Sequence, residues 1–285
     1  MYVITGITGQ VGGAVAENLL AEGKQVRAVV RNAGKGTAWA ERGCEVALAD
    51  INDADALTRA FAGATGVFVM LPPIFDPSPG FPEAERTIES IGRALLAASP
   101  GRVVCLSTIG GQVERPNLLN QLHRMEKVIG GLKLRTTFLR PGWFMENCVW
   151  DVATARERGV VSSFLQPREK PVPMVATEDI GKVATELFLS AETPGVVELE
   201  GPERISPDRI AAAFAQLLGK EITVEIVPRD SWEPLFRAQG MKNPEPRMQM
   251  LDGFNEGWIE FEGNSLKGTT TLVTVLRKLM AEPAA

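Results

Sequence analysis

The chain has 285 residues, 45% of them apolar and 23% charged, with a formal net charge of −5. That is an ordinary globular composition, and without any Lys/Arg run it argues against nucleic acid or an anionic membrane surface as the partner. Three scattered cysteines (Cys44, Cys105, Cys148) read as buried thiols of a reducing, cytoplasmic compartment, and with one histidine, His123, they leave no ligand set for zinc or another metal.

The opening Met1-Tyr2-Val3-Ile4-Thr5-Gly6 has no basic or long apolar run, so neither signal peptide nor membrane span is expected. Val3–Thr5 reads as a strand, and Val11–Ala21 as a helix closed by Gly23. Strands follow at Gln25–Val30 and Glu45–Ala49, a helix at Ala54–Ala62, and a strand at Gly66–Leu71. A Pro-rich loop comes next, then a helix over Glu83–Ala98 and a strand over Arg102–Leu106. A helix over Leu118–Ile129 and a strand over Arg135–Leu139 complete this half.

Apolar strands separated by helices are what a parallel sheet covered on both faces requires. The expected fold is α/β, a doubly wound parallel Rossmann sheet with a smaller C-terminal α+β substrate region. The expected division is 1–140 for dinucleotide binding and 141–285 mainly for the substrate pocket, interleaved with the first. After Leu139 the rhythm is irregular. Helices are read at Ile180–Phe188 and at Pro207–Leu218, the latter capped by Ser206, and strands at Val196–Leu199 and Ile222–Val227. Twelve of the seventeen Phe and Trp residues lie beyond position 134, and they either build a second core or line an aromatic pocket.

The first strand and helix are joined by Gly6-Ile7-Thr8-Gly9-Gln10-Val11-Gly12. One glycine permits the tight turn, a second lets backbone approach a pyrophosphate, and a third lets the helix pack on the strand. The helix start then offers free N–H groups and its positive dipole end to phosphates. At the end of the second strand, where an NAD site keeps a carboxylate, this chain reads Val30-Arg31-Asn32, with Lys35 following. Arg31 can fork onto a 2′-phosphate and Lys35 can add charge, so the cofactor expected is NADP (NADPH). Asp50 and Ile51 end the third strand, where the chain passes the adenine; Asp50 either accepts from the adenine amine or fixes the turn. Leu71 and Pro72 lead off the next strand on the ligand side of the sheet.

The spacing Gly6-x-x-Gly9-x-x-Gly12 with Arg31, the segment Phe138-Leu139-Arg140-Pro141-Gly142-Trp143-Phe144-Met145-Glu146-Asn147, and Val175–Gly181 resemble the NmrA-like atypical branch of the short-chain dehydrogenase/reductases. Within it, the likeness is to NADP-dependent quinone reductases and triphenylmethane-dye reductases; other members are redox-sensing regulators that bind the cofactor without turning it over. The resemblance implies backbone contact to the nicotinamide at Gly142 and Trp143. It also implies a substrate-facing hydroxyl at Ser107, which a turn-capping role would equally explain. Trp143, Phe144, Asn147 and Trp150 would wall an aromatic pocket suited to planar acceptors.

The superfamily's Tyr-x-x-x-Lys pair is missing, since Tyr2 is the one tyrosine and Gly6 stands four residues on. His123 lies in the corresponding helix and is the candidate proton donor, or else a half-buried helix residue. Two functions lead, with an isomerase or a reductase of another class, using NADP on an imine or enoyl group, as a third reading. One is an NADPH-dependent reductase of quinone-like or other planar acceptors, with a small aromatic molecule as partner. The other is a non-catalytic NADP-binding regulator. A homodimer is a further expectation.

Overall fold

The computed structural model describes residues 1–281; the end of the 141–285 region, 282–285, lies outside the described residues. The first half runs β1 (Tyr2–Ile4), α1 (Gln10–Ala21), β2 (Val26–Val30), α2 (Ala33–Glu41), β3 (Glu45–Leu48) and α3 (Ala54–Phe61). It continues through β4 (Gly66–Val69), α4 (Pro82–Ala98), β5 (Val103–Leu106), α5 (Asn120–Gly130) and β6 (Thr136–Pro141). The second half opens with β7 (Trp143–Phe144), a 3₁₀ turn (Met145–Asp151), α6 (Val152–Arg158), β8 (Val160–Ser163), β9 (Met174–Val175) and α7 (Thr177–Leu189). It ends with β10 (Val196–Glu200), α8 (Pro207–Leu218), β11 (Thr223–Ile226), α9 (Trp232–Ala238), α10 (Glu245–Glu256), β12 (Leu266–Lys267) and α11 (Leu272–Ala281).

Eight strands form one sheet in the order β12-β10-β6-β5-β4-β1-β2-β3, and every neighbouring pair is parallel. The period of two along each strand explains the layers on either side. Val3, Val67, Val69 and Val103 enter one apolar layer with Leu57, Phe61, Ile91, Leu95 and Met125 of α3, α4 and α5. Ile4, Phe68, Val104 and Leu106 enter the opposite layer with Val15, Leu19, Ile180 and Phe188 of α1 and α7. The doubly wound parallel sheet inferred above is the observed fold. Its direction reverses at β1, which pairs with β2 on one side and β4 on the other, so the crevice for a ligand opens over the carboxyl ends of β1 and β4.

The two halves interleave physically. β10 pairs with β6, and α7 shares a core with α1, so a boundary at 140/141 divides the chain without dividing the sheet. A third core gathers Phe214, Trp232, Phe236, Leu251, Phe254 and Leu276 with Ile109 and Leu118 of the first half. The C-terminal excess of aromatic residues mainly builds this core; Phe164, for example, stands edge-on to Trp232 at 5.8 Å and 5.3 Å from Phe236.

Five helices depart from the sequence reading. α2 was not expected because Ala33-Gly34-Lys35-Gly36 has poor helix propensity. It forms because Asn32 caps it, accepting from the Lys35 amide at 3.0 Å, and because Gly36 lets it lie on β3, where a Cβ would stand 2.7 Å from Val46 Cγ1. α6, α9, α10 and α11 fall in the stretch that read as irregular, and each buries its apolar face in the third core. Among the described residues, no helix is long and apolar enough to cross a membrane.

Candidate functional site

The glycine turn occupies the switch point. Gly6 sits at φ +63°, a region open to glycine, and an added Cβ would lie 2.6 Å from Met70 Sδ. Gly12 packs helix onto strand so closely that a Cβ would fall 2.3 Å from the Gly6 carbonyl oxygen. Gly9 differs, because its nearest neighbour would be that same oxygen at 3.4 Å, leaving its outer side open. Gly9 N–H donates to the Gly6 carbonyl and Gly13 N–H to the Gly9 carbonyl. The amides of Gln10, Val11 and Gly12 meet no acceptor outside the helix among the described residues, and no side chain caps α1. Three bare amides at the positive end of a 12-residue helix make an anion cradle of the right chemistry for a pyrophosphate. Thr8 and Gln10 are exposed at its rim, whereas the Val11 side chain is core.

The remaining strand ends line the same edge. Arg31 leaves β2 exposed and forms no ion pair among the described residues. Lys35 is exposed in the first turn of α2, whose own start faces the same side. Asp50 is exposed and its Oδ1 accepts from the Asn52 amide at 2.9 Å, which is the turn-fixing role; Ile51 is half-buried beside it. Asp53 caps α3 through the Asp55 and Ala56 amides. Leu71 is buried just after β4 and Pro72 is exposed. From β2 to β6 the edge crosses four strand spacings, roughly 19 Å at ~4.8 Å each.

At the β5–β6 end a buried polar network replaces the expected open hydroxyl. Ser107 is 5% exposed and its hydroxyl donates to Glu126 Oε1 of α5 at 2.5 Å. It therefore serves the protein interior and is not a substrate-facing group. Arg140 of β6 grips the same carboxylate with two bonds, at 2.8 and 2.6 Å, and reaches Glu262 at 2.5 Å and Gln112 at 3.2 Å. Burial works against the Arg140 charge, but Glu126 and Glu262 outweigh it and hold the guanidinium above its ordinary pKa. Gly111 rides directly on this ion pair, where a Cβ would meet Glu126 Oε1 at 2.6 Å and Arg140 Nε at 2.9 Å.

The Gly111 carbonyl lies 2.8 Å from His123 Nδ1. A carbonyl only accepts, so Nδ1 carries the hydrogen and Nε2 is left as the ring atom that exchanges a proton. The half-buried His123 is thus oriented by a loop that Glu126 and Arg140 hold in place. Lys127, one turn on, is exposed. Sequence reading missed Glu126, Arg140 and Gly111, although Glu126 stands three residues after His123 and Arg140 lies in the Phe138–Asn147 segment.

The aromatic wall needs correction. Trp143 and Phe144 are consecutive on β7 and point to opposite sides. Trp143 stands edge-on to Phe254 at 5.1 Å in the third core, whereas Phe144 packs into the α1/α7 layer. Asn147 is exposed, and Trp150 is 83% exposed on the 3₁₀ turn, so neither encloses a pocket. The amides of Gly142 and Trp143 are already bonded to the Leu199 and Pro173 carbonyls at 2.8 and 2.9 Å, which leaves only backbone carbonyls there to meet a nicotinamide amide. Tyr2 is buried at the start of β1 against Phe188, at the edge of the sheet opposite the glycine turn.

Fold and turn together define a Rossmann-class protein with its anion-cradling turn at the switch point. The chain belongs to the NmrA-like family, whose profile matches residues 2–256. It is 26% identical over 263 residues to the NAD(P)H azoreductase of Xenophilus azovorans, spanning 90% of this chain and 85% of that protein. It is 26% identical over 254 residues to quinone oxidoreductase 2 of Escherichia coli (strain K12), spanning 88% and 85%. The crystal structure of an NADPH-dependent quinone oxidoreductase from Escherichia coli complexed with NADPH superposes with a TM-score of 0.83 at 24% identity, over 98% of this chain and 99% of that one.

Proposed function

We propose that this protein is a cytoplasmic NADPH-dependent oxidoreductase that reduces quinone-like or other planar conjugated acceptors. The observation that carries the reading is the cradle of three bare amides at the switch point with the exposed Arg31 guanidinium, unpaired among the described residues, at the next strand end. The naming of its relatives as NAD(P)H azoreductase and quinone oxidoreductase supports the same chemistry.

In this reading Gln10, Val11 and Gly12 hold the pyrophosphate by their amides, and Gly9 gives it room. Arg31 forks onto the 2′-phosphate and Lys35 adds charge from α2. Leu71 and Pro72 flank the crevice on the β4 side, and the Gly142 carbonyl region meets the nicotinamide end. When bound, NADPH supplies a hydride to the acceptor, and one further proton converts a quinone to its hydroquinone and leaves NADP⁺. His123 can hold that proton at Nε2, with Nδ1–H anchored on Gly111. A proton delivered after hydride transfer needs no tyrosine.

NADPH consumption with a panel of quinones tests the function. Turnover is expected; binding of NADPH without turnover of any acceptor would favour the regulator. Arg31→Ala should weaken NADPH binding by about 1.5–3 kcal/mol and leave NADH nearly unchanged, as a lost charge-assisted bond requires. Equal losses in calorimetric titrations with the two dinucleotides would remove Arg31 from the phosphate. His123→Ala should lower kcat by about tenfold, less than the 10²–10⁴ of an obligatory acid, because water can deliver the proton. It should also erase one limb of the pH–rate profile; an unaltered profile would make His123 scaffold. Sedimentation of the pure chain reads whether the expected homodimer forms.

A further inference from the structure

Among the described residues, one strong cation of the crevice region has no counter-charge. Arg247 of α10 is half-buried, with its guanidinium carbon 4.4 Å from the Phe236 ring centroid and 5.9 Å from that of Phe75. Among the described residues its guanidinium donates to the thioether of Met241 at 3.7 Å, a weak acceptor. Among the described residues no carboxylate lies within ion-pair distance of it. Asp76, next to Phe75 in the chain, accepts from the Lys242 and Asn243 amides at 2.9 and 2.7 Å. Burial alone lowers the Arg247 pKa from its usual value, with no opposing charge to restore it. Ring contact satisfies none of a guanidinium's N–H donors. A half-buried cation with open donors must have them met by water or by an anion, and an anion also offsets its partial desolvation.

The position gives that anion a role. Phe75 belongs to the loop after β4, whose Ile74 carbonyl accepts from Gln121 of α5 at 3.3 Å. The Leu118 amide, just before α5, donates to the Pro246 carbonyl beside Arg247 at 2.9 Å. The loop after β4, the start of α5 and α10 therefore converge at one end of the crevice, and α5 carries His123 one turn beyond Leu119.

We infer that Arg247 is the specificity-determining anchor for an acidic substituent on the acceptor, so that this protein prefers planar conjugated acceptors bearing a sulfonate or carboxylate over neutral ones and disfavours cationic dyes. This rests on the reductase reading for the acceptor, but the anion site itself does not require turnover. A guanidinium stacked on aromatic faces pairs the ring system of such a molecule with Phe75 and its acidic group with the N–H fork.

The test compares wild type with Arg247→Met, or with Arg247→Gln should the first variant be unstable. NADPH consumption is followed with 1,4-naphthoquinone and with its 2-sulfonate. The variant should raise KM for the sulfonate by roughly 10- to 100-fold and leave that for the plain quinone within about twofold. Parallel changes for both acceptors, or none for either, overturn the inference. If wild type reduces neither quinone, the reductase reading fails, and the anion site is then read separately. Naphthalene-2-sulfonate and its neutral sulfonamide are titrated calorimetrically into the NADP⁺-saturated protein. Loss of the sulfonate alone in the variant supports Arg247 as the anchor, and sulfonate binding that is absent from wild type or unchanged in the variant overturns it.

Discussion

Gly9→Val is expected to leave the chain folded and to abolish dinucleotide binding. Gly9 has φ −96° and ψ 173°, extended backbone that valine adopts readily, and a Cβ there meets only the Gly6 carbonyl oxygen at 3.4 Å. The added side chain instead fills the open side of the turn, where the bare amides of Gln10, Val11 and Gly12 would otherwise receive phosphate. Losing two such charge-assisted bonds should cost on the order of 3 kcal/mol or more in NADPH affinity, read by calorimetry, with little movement of the thermal midpoint. Gly12 supplies the contrast. Its Cβ would stand 2.3 Å from the Gly6 oxygen, so Gly12→Ala should damage the fold itself. Unimpaired NADPH binding by folded Gly9→Val would mean that this turn does not carry the cofactor.

The second large effect is on stability. Glu126→Leu removes the carboxylate that holds Arg140 by two bonds and accepts from Ser107, leaving a 4%-exposed guanidinium with Glu262, Gln112 and, at 3.9 Å, Glu198. Breaking one side of a buried pair typically costs about 3–5 kcal/mol, while replacing both partners by apolar groups costs far less. Denaturant melts should therefore show a deep loss in Glu126→Leu that is largely restored in Glu126→Leu/Arg140→Met. A single variant within about 1 kcal/mol of wild type would deny the network its structural weight. The double variant also isolates function. With Gly111 no longer seated on the ion pair, the carbonyl that aligns His123 loses its support, and turnover should stay low even where stability returns.

Local chemistry carried much of this protein into view. The alternation that sends Val3 and Ile4 to opposite layers is a property of a short apolar strand, and so is the glycine order of the first turn. Ser206 caps its helix whether or not the rest of the chain is known. From such signals the doubly wound sheet, the side on which ligands bind and the absence of a carboxylate beside Arg31 were all readable.

What the residue string left undecided depends on groups that meet only after the chain has closed on itself. α2 exists because Gly36 allows a helix against Val46, a contact its own weak propensity does not announce. α9, α10 and α11 bury faces into a core that Ile109 and Leu118 help to complete from the other half of the chain. Whether Ser107 faces a substrate or Glu126, and whether Trp143 and Phe144 share a wall, turns on partners 19 or more residues away and on the phase of a two-residue strand. Periodicity and turn chemistry act over a few residues, so they specify elements. Polar partners and burial arise from long-range packing, so only the assembled tertiary structure could assign Arg140 to Glu126, orient His123 through Gly111, and leave Arg247 without a counter-charge among the described residues.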